Sequence, residues 1–443
     1  MRKIVNIRMH KEFVRSSALI CFICGQIYKQ LQCLLNKYTH KILALSALIC
    51  VICGQTFAQQ INLPAALDSA LNNNLNVKNE KLKVDYQKKL IQTGANIPQT
   101  MVNAEYGQIN SIYNDTRFGI VQNLNFPSVY SYQKGALKSL WKSSNMSVAL
   151  KEVELKKQVR QTFYTYLFLL QKQKLLQSND SMYIGFLTKA TARFKSGESN
   201  VLEQTTAENQ RAQISIQLNQ LNTDMELLLM QFQLLLNTSI AYIPSDDNFK
   251  MNNANQTDSN VIGNHPSIKL LQQQKQYYLV NTRLEKARLL PELTLAYSNM
   301  SIKGVGADNI DYAYEKRFQS AQIGLGIPLF FRSFNAKIGA SKLEQLMADN
   351  RLKTETNLMN AEWNKTNAQY LNYLKTITIY ESKTLNNAQL IIETANKQFT
   401  NGDINYIEWV MLTNQAISIK NEYLNGVYNL NETIIQLNYL SNK

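Results

Sequence analysis

The most reactive side chains of this 443-residue chain lie near its start. "SALICFICGQIYKQ" (17–30) and "SALICVICGQTFAQ" (46–59) match at ten of fourteen positions, 29 residues apart. Each copy holds a Cys-x-x-Cys, Cys21 with Cys24 and Cys50 with Cys53. Two such pairs can hold zinc, and one alone can be a dithiol switch. Zinc knuckles, however, sit in polar turns that wrap the ion. Here "ILALSALICVIC" (42–53) is uncharged and nearly all apolar. Lys37 and Lys41 precede it, and Thr56 and Ala58 follow at the −3 and −1 positions of a small-residue cleavage site. That order reads as a secretory signal peptide ending at Ala58, with no metal site. The apolar run is too short for a transmembrane helix. Ile49 and Ile52, each just before a cysteine, are too large for a lipid-attachment motif. The first copy reads as a duplicated upstream segment.

Beyond residue 58 little conventional catalytic equipment is left. All five cysteines and two of the three histidines fall within 1–58, which leaves His265. Such a chain has no disulfide, no thiol nucleophile and no multi-histidine metal site. It also has no Gly-rich phosphate loop and no Gly-x-Ser-x-Gly elbow. We therefore expect no enzyme activity, no catalytic residues and no cofactor. The formal charge of +15 falls to +8 after residue 58, from 39 basic and 31 acidic residues. The basic residues alternate with Glu, Gln and Asn, so nucleic acid is not an expected partner. No apolar run reaches 18 residues. Entry into a membrane would have to use β-strands.

The elements that position the remaining residues are mostly long helices. Ile214, Leu218, Leu221, Met225, Leu228, Phe232 and Leu235 are spaced alternately four and three apart, a heptad seam. Tyr423, Val427, Leu430, Ile434 and Leu437 form a second seam. Residues 130–193 lack proline and predict one helix of about 90 Å.

The chain is also duplicated. "RFKSGESNVLEQTTAENQ" (193–210) aligns with "QFTNGDINYIEWVMLTNQ" (398–415) at an offset of 205. Phe194/Phe399, Gly197/Gly402, Asn200/Asn405, Glu203/Glu408, Asn209/Asn414 and Gln210/Gln415 are identical pairs. Pro98 answers Pro291, and Pro127 answers Pro328. We divide the chain into 1–58, a first repeat 59–237, a polar linker 238–264 and a second repeat 265–443.

Between each pair of prolines the period changes to two. "FQSAQIGLGIPLF" puts Ala321, Ile323, Leu325, Ile327 and Leu329 on one face, with Ser320, Gln322, Gly324 and Gly326 on the other. "RFGIVQNLNF" aligns Phe118, Ile120, Leu124 and Phe126, and "ELTLAYSNM" aligns Leu293, Leu295 and Tyr297. "TMVNAEYGQ" is a weaker fourth strand with Val102, Ala104 and Tyr106. Strands of about ten residues can cross a bilayer in a tilted barrel, with Phe118, Ile120, Leu293, Leu295, Ile323 and Leu325 toward lipid. The alternative is two hairpins capping a soluble periplasmic coiled-coil scaffold. Four strands cannot close a membrane barrel alone, so a spanning barrel needs several chains.

The order of helix, strand pair and two long helices, met twice after a signal peptide, resembles the TolC-like outer-membrane efflux protein family. The similarity spans about residues 60–440 and rests on the duplicated Gly motifs and the prolines that frame the strands. It implies a mainly α fold with a small β part: a long coiled-coil tunnel joined to a twelve-stranded barrel built by a homotrimer. It also implies a passive exit duct in the outer membrane, contacting lipid there and extending into the periplasm. Its implied partners are a periplasmic adaptor and an inner-membrane efflux pump or ABC transporter.

By the same resemblance, Phe194, Gly197, Phe399 and Gly402 sit at the periplasmic hairpin tips that dock the adaptor. Glu203 and Glu408 are candidates for acidic rings at the tunnel mouth, which would favour cations. Equally, they can serve as acids that complement the dipole of a helix N-terminus. Met411 and its repeat mate Thr206 stand where a second acid is expected, and Trp409 has Gln204 as its mate, so the two tips differ.

Overall fold

The computed structural model describes residues 59–110, 112–197, 201–251 and 259–442. The expected signal peptide and its upstream copy lie outside the described residues, as does Asn200.

Strand β1 (Gln59–Ile61) leads into helices α1 (Leu63–Asn73) and α2 (Leu75–Leu90). Asn62 and Asn74 cap them, each side-chain oxygen accepting backbone N–H groups of the first turn at 3.0 Å. A 3₁₀ turn (Ile91–Ala95) then delivers the chain to strands β2 (Met101–Gly107) and β3 (Asp115–Leu124). Pro127 occupies the first turn of α3, where its missing N–H costs nothing. Helix α3 (Pro127–Lys195) runs 69 residues, about 100 Å. Helix α4 (Val201–Leu236) returns along it.

The second half repeats this plan. Helix α5 (Pro266–Ala287) is capped by His265, whose Nδ1 accepts the Ser267 N–H at 3.2 Å. Strand β5 (Glu292–Ser301) follows, then the small ribbon β6 (Gly304–Val305) with β7 (Asp311–Tyr312), then β8 (Arg317–Gly326). Helix α6 (Arg332–Ile379) continues through a π-turn (Tyr380–Thr384) into α7 (Leu385–Asn401). Helix α8 (Tyr406–Leu440) returns. No helix among the described residues is long and apolar enough to cross a membrane.

Both expected seams are core. Ile214, Leu221, Met225 and Phe232 are buried, with Leu218, Leu228 and Leu235 packed beside them. Val427, Leu430, Ile434 and Leu437 are buried in α8. The stretch read as a polar linker contains structure of its own. Strand β4 (Tyr242–Pro244) pairs in parallel with β1, and Phe249 and Met251 pack on the bundle. The Asn431 amide holds this segment, donating to the Phe249 carbonyl at 2.8 Å and accepting from the Met251 N–H at 2.9 Å.

Candidate functional site

The four long strands form one antiparallel sheet in the order β2-β3-β5-β8. The middle pairing, β3 with β5, joins the two repeats. Directly opposed residues share a face, so the register decides which side chains gather. Leu124 lies opposite Leu293, and Leu293 opposite Leu325. Leu295 faces Ile323, and Ile120 sits between Val102 and Tyr297. Phe118 sits between Ala104 and Asn299. The six residues expected to face lipid thus share one face of the sheet. Ile323 is 76% exposed and Phe118 54%, so the described residues leave most of it uncovered.

The opposite face is more polar. Glu105 and Arg117 are cross-strand partners and pair at 3.0 Å. The Ser298 and Ser320 hydroxyls meet at 2.7 Å, and Thr294 donates to Asn123 at 2.9 Å. A shallow cavity of about 240 Å³ on this side is lined by Asn103, Glu105, Arg117, Ser298, Ser320 and Gln322. Among the described residues β2 and β8 each have a neighbour on one side only.

The far ends of the long helices carry the duplicated motifs. Gly197 and Gly402 both adopt left-handed backbone, with φ of 77° and 84°. Gly402 closes α7: the Asp403 N–H donates to the Gln398 carbonyl at 2.9 Å, and the Gly402 N–H to Phe399 at 3.3 Å. That is a Schellman end, which needs a residue free to take positive φ. Asn405 and Glu408 then form a reciprocal capping box, at 3.0 Å and 2.9 Å, that starts α8. The structure therefore gives Glu408 a local partner at a helix N-terminus. Glu203 is half-buried near the start of α4, and one of its carboxylate oxygens has no hydrogen-bond partner among the described residues. It lies beside Tyr406 of the other hairpin. Burial pushes the Tyr406 phenol up, and the Glu203 charge adds to that.

The two phenylalanines of the motifs part ways. Phe194 is 43% exposed, whereas Phe399 is buried. Phe399 joins an aromatic cluster centred on Trp409. Trp409 stacks on Phe186 with ring centroids 4.8 Å apart, meets Tyr183 edge-on at 5.8 Å, and touches Phe399 at 5.7 Å. Its indole N–H donates to Asn396 at 2.8 Å, and Tyr183 donates to Asn414 at 3.0 Å. This cluster fastens α3 of the first repeat to α7 and α8 of the second. By sequence Trp409 stands out only as a mismatch with Gln204. The matched spacings Tyr183/Phe186 and Tyr406/Trp409, each three apart and so on one helix face, carry the missing signal.

By sequence the chain matches no family model and no curated protein. By structure it is similar to solved outer-membrane channels. It superposes on CusC, whose structures concern transmembrane channel formation, with a TM-score of 0.72 and 13% identity over 87% of this chain and 93% of that one. For the outer-membrane channel OprN the TM-score is 0.73 at 13% identity, covering 86% of this chain and 89% of that one. For the CmeC outer membrane channel of Campylobacter jejuni it is 0.69 at 14%, covering 86% and 85%. The chain has the TolC-like channel fold that its sequence resembles.

Proposed function

We propose that this protein is the outer-membrane exit duct of a tripartite efflux or secretion machine. The observation that carries the proposal is the sheet: three strands of ten residues, the length that crosses a membrane when tilted, and a fourth of seven, apolar on one face and polar on the other, with both edges open among the described residues, mounted on helices of about 100 Å. Three copies joined edge to edge would close a twelve-stranded barrel with the apolar face to lipid and the Glu105–Arg117 face to the lumen. The helices of the three copies would continue that lumen as a periplasmic tunnel. Conduction is passive in this reading. The energy comes from an inner-membrane efflux pump or ABC transporter, reached through a periplasmic adaptor docked on the tips around Phe194, Gly197, Phe399 and Gly402. Glu203 and Glu408 would lie where the tunnel narrows.

Purification in detergent followed by particle imaging tests this. The expected particle is a three-fold cylinder roughly 140 Å long, from helix rise plus barrel height. In fractionation it should stay with the outer membrane through salt and carbonate washes. A monomer released by carbonate would overturn the proposal in favour of a soluble scaffold.

A further inference from the structure

Where the sheet meets the helices, the apolar face deepens into a groove of about 660 Å³. Its floor is the cross-strand row Leu124, Leu293 and Leu325, and its walls come from Ile97, Phe126 and Tyr130. That volume falls within the roughly 300–1,000 Å³ of pockets that take small-molecule ligands. Tyr130 turns its ring to the groove while its hydroxyl accepts the Asn125 N–H at 3.0 Å. One turn further along α3, on the same side, stands Lys134. The 3₁₀ turn that supplies another wall residue, Ala95, is packed tightly onto Lys134. A Cβ on Gly94 would lie 2.7 Å from the Lys134 Cα. The Lys134 side chain is exposed, and no carboxylate among the described residues pairs with it.

The charge around the groove is as uneven as its polarity. The four stretches flanking the sheet, 85–97, 127–142, 283–292 and 327–342, hold eleven Lys or Arg and three acids. Their excess of +8 equals that of the entire chain after residue 58, whose remainder carries 28 residues of each sign. Lys134 lies about 10 Å from the start of α3, and Arg332 opens α6. Helical side chains lean toward the helix N-terminus, so from about 10 Å along α3 the Lys134 ammonium can reach back to a headgroup layer of about 5–8 Å beneath a hydrocarbon core that covers the strands.

Building on the outer-membrane reading, we infer that this groove binds an anionic phospholipid of the helix-side leaflet. One acyl chain lies along the Leu124–Leu293–Leu325 row, and the phosphate meets Lys134 within the basic collar.

The test reconstitutes the full-length protein into nanodiscs holding equal phosphatidylglycerol and phosphatidylcholine. Native mass spectrometry then counts the lipids each protein particle retains. Phosphatidylglycerol should be retained in preference, and Lys134→Gln should cut that preference about five-fold, the effect of one basic residue at an anionic surface. Lys134→Arg should keep it, and Lys397→Gln, near the far end of the helices, should leave it unchanged. Leu293→Trp, which fills the groove floor, should lower retention of both lipids. Equal retention of the two lipids by the unaltered protein would overturn the inference, as would a preference indifferent to Lys134→Gln. A Leu293→Trp variant with altered oligomer mass and unchanged lipid would also overturn it, making the groove a contact between copies. A protein that does not enter nanodiscs at all would overturn the outer-membrane reading first and the lipid site with it.

Discussion

Gly402 has positive φ and an open surround, since a Cβ there would meet no atom within 4 Å. The cost of a side chain is therefore backbone strain alone, about 1–2 kcal/mol for a left-handed L-residue. Gly402→Val should loosen the Schellman end by that amount, read as faster hydrogen exchange at the Asp403 amide, and should weaken adaptor contact without lowering barrel assembly. Gly402→Asn should do less, because Asn tolerates this conformation. Equal protection in all three proteins would show that the turn accepts other geometry. The two glutamates differ in their surroundings. Glu408→Gln keeps the capping box, since Gln can fill the same position. Glu203→Gln removes a charge from a half-buried carboxylate beside Tyr406. The double variant should assemble normally and show a lower preference for cations in single-channel recordings. Unchanged selectivity would assign both acids to helix termini alone.

Among the elements, the π-turn at Tyr380–Thr384 joins the two parts of the second long helix, α6 and α7, and presents Glu381 sideways. Lys250 donates to both Glu381 oxygens at 2.8 Å, and the Tyr423 hydroxyl donates to one at 3.0 Å. One carboxylate thereby ties the segment between the repeats to the π-turn and to α8. Glu381→Ala should speed exchange at the Met251 amide, with a stability loss of at most about 1 kcal/mol, because the pair is solvent-screened. Burial first, and then Glu381, push the Tyr423 phenol up to about 12. An unfolded tyrosine ionises near pH 10, so this contribution is whole below pH 10 and disappears as pH rises toward 12. Tyr423→Phe should flatten that part of an alkaline unfolding profile. A profile unchanged by the substitution would place the alkaline loss elsewhere.

Over the whole molecule, adjacent residues of one strand lie on opposite faces of the sheet, and in the proposed barrel they would meet opposite media. Ile323 lies on the apolar face and Gln322 lines the polar cavity. A charge at mid-membrane on the lipid side costs about 2–4 kcal/mol. Ile323→Arg should sharply reduce carbonate-resistant protein in the outer membrane, while Gln322→Arg should insert nearly as well as the unaltered chain. Equal tolerance would mean that the apolar face does not meet lipid.

Local and repeated features are legible in the order of residues alone. Period-two alternation predicts four strands. It groups Phe118 with Ile120, Leu293 with Leu295 and Ile323 with Leu325, because side chains alternate strictly along a strand. Heptad spacing predicts the buried seams, and the duplicated glycines mark the left-handed turns at Gly197 and Gly402. Tertiary packing sets the rest, because those features depend on residues far apart in the chain. Nothing local pairs β3 with β5 across the repeats, or β1 with β4 inside a stretch that reads as polar linker. Asn405 and Glu408 stand at capping-box spacing in the sequence, but only the fold shows that both hydrogen bonds of the box form. Phe194 and Phe399 are identical in the motif, yet Trp409 has a partner on α3 and Gln204 offers no equivalent ring, so one phenylalanine is buried and the other exposed. The lipid groove likewise needs the Leu124–Leu293–Leu325 row and Lys134 together, residues that periodicity finds separately and only packing brings side by side.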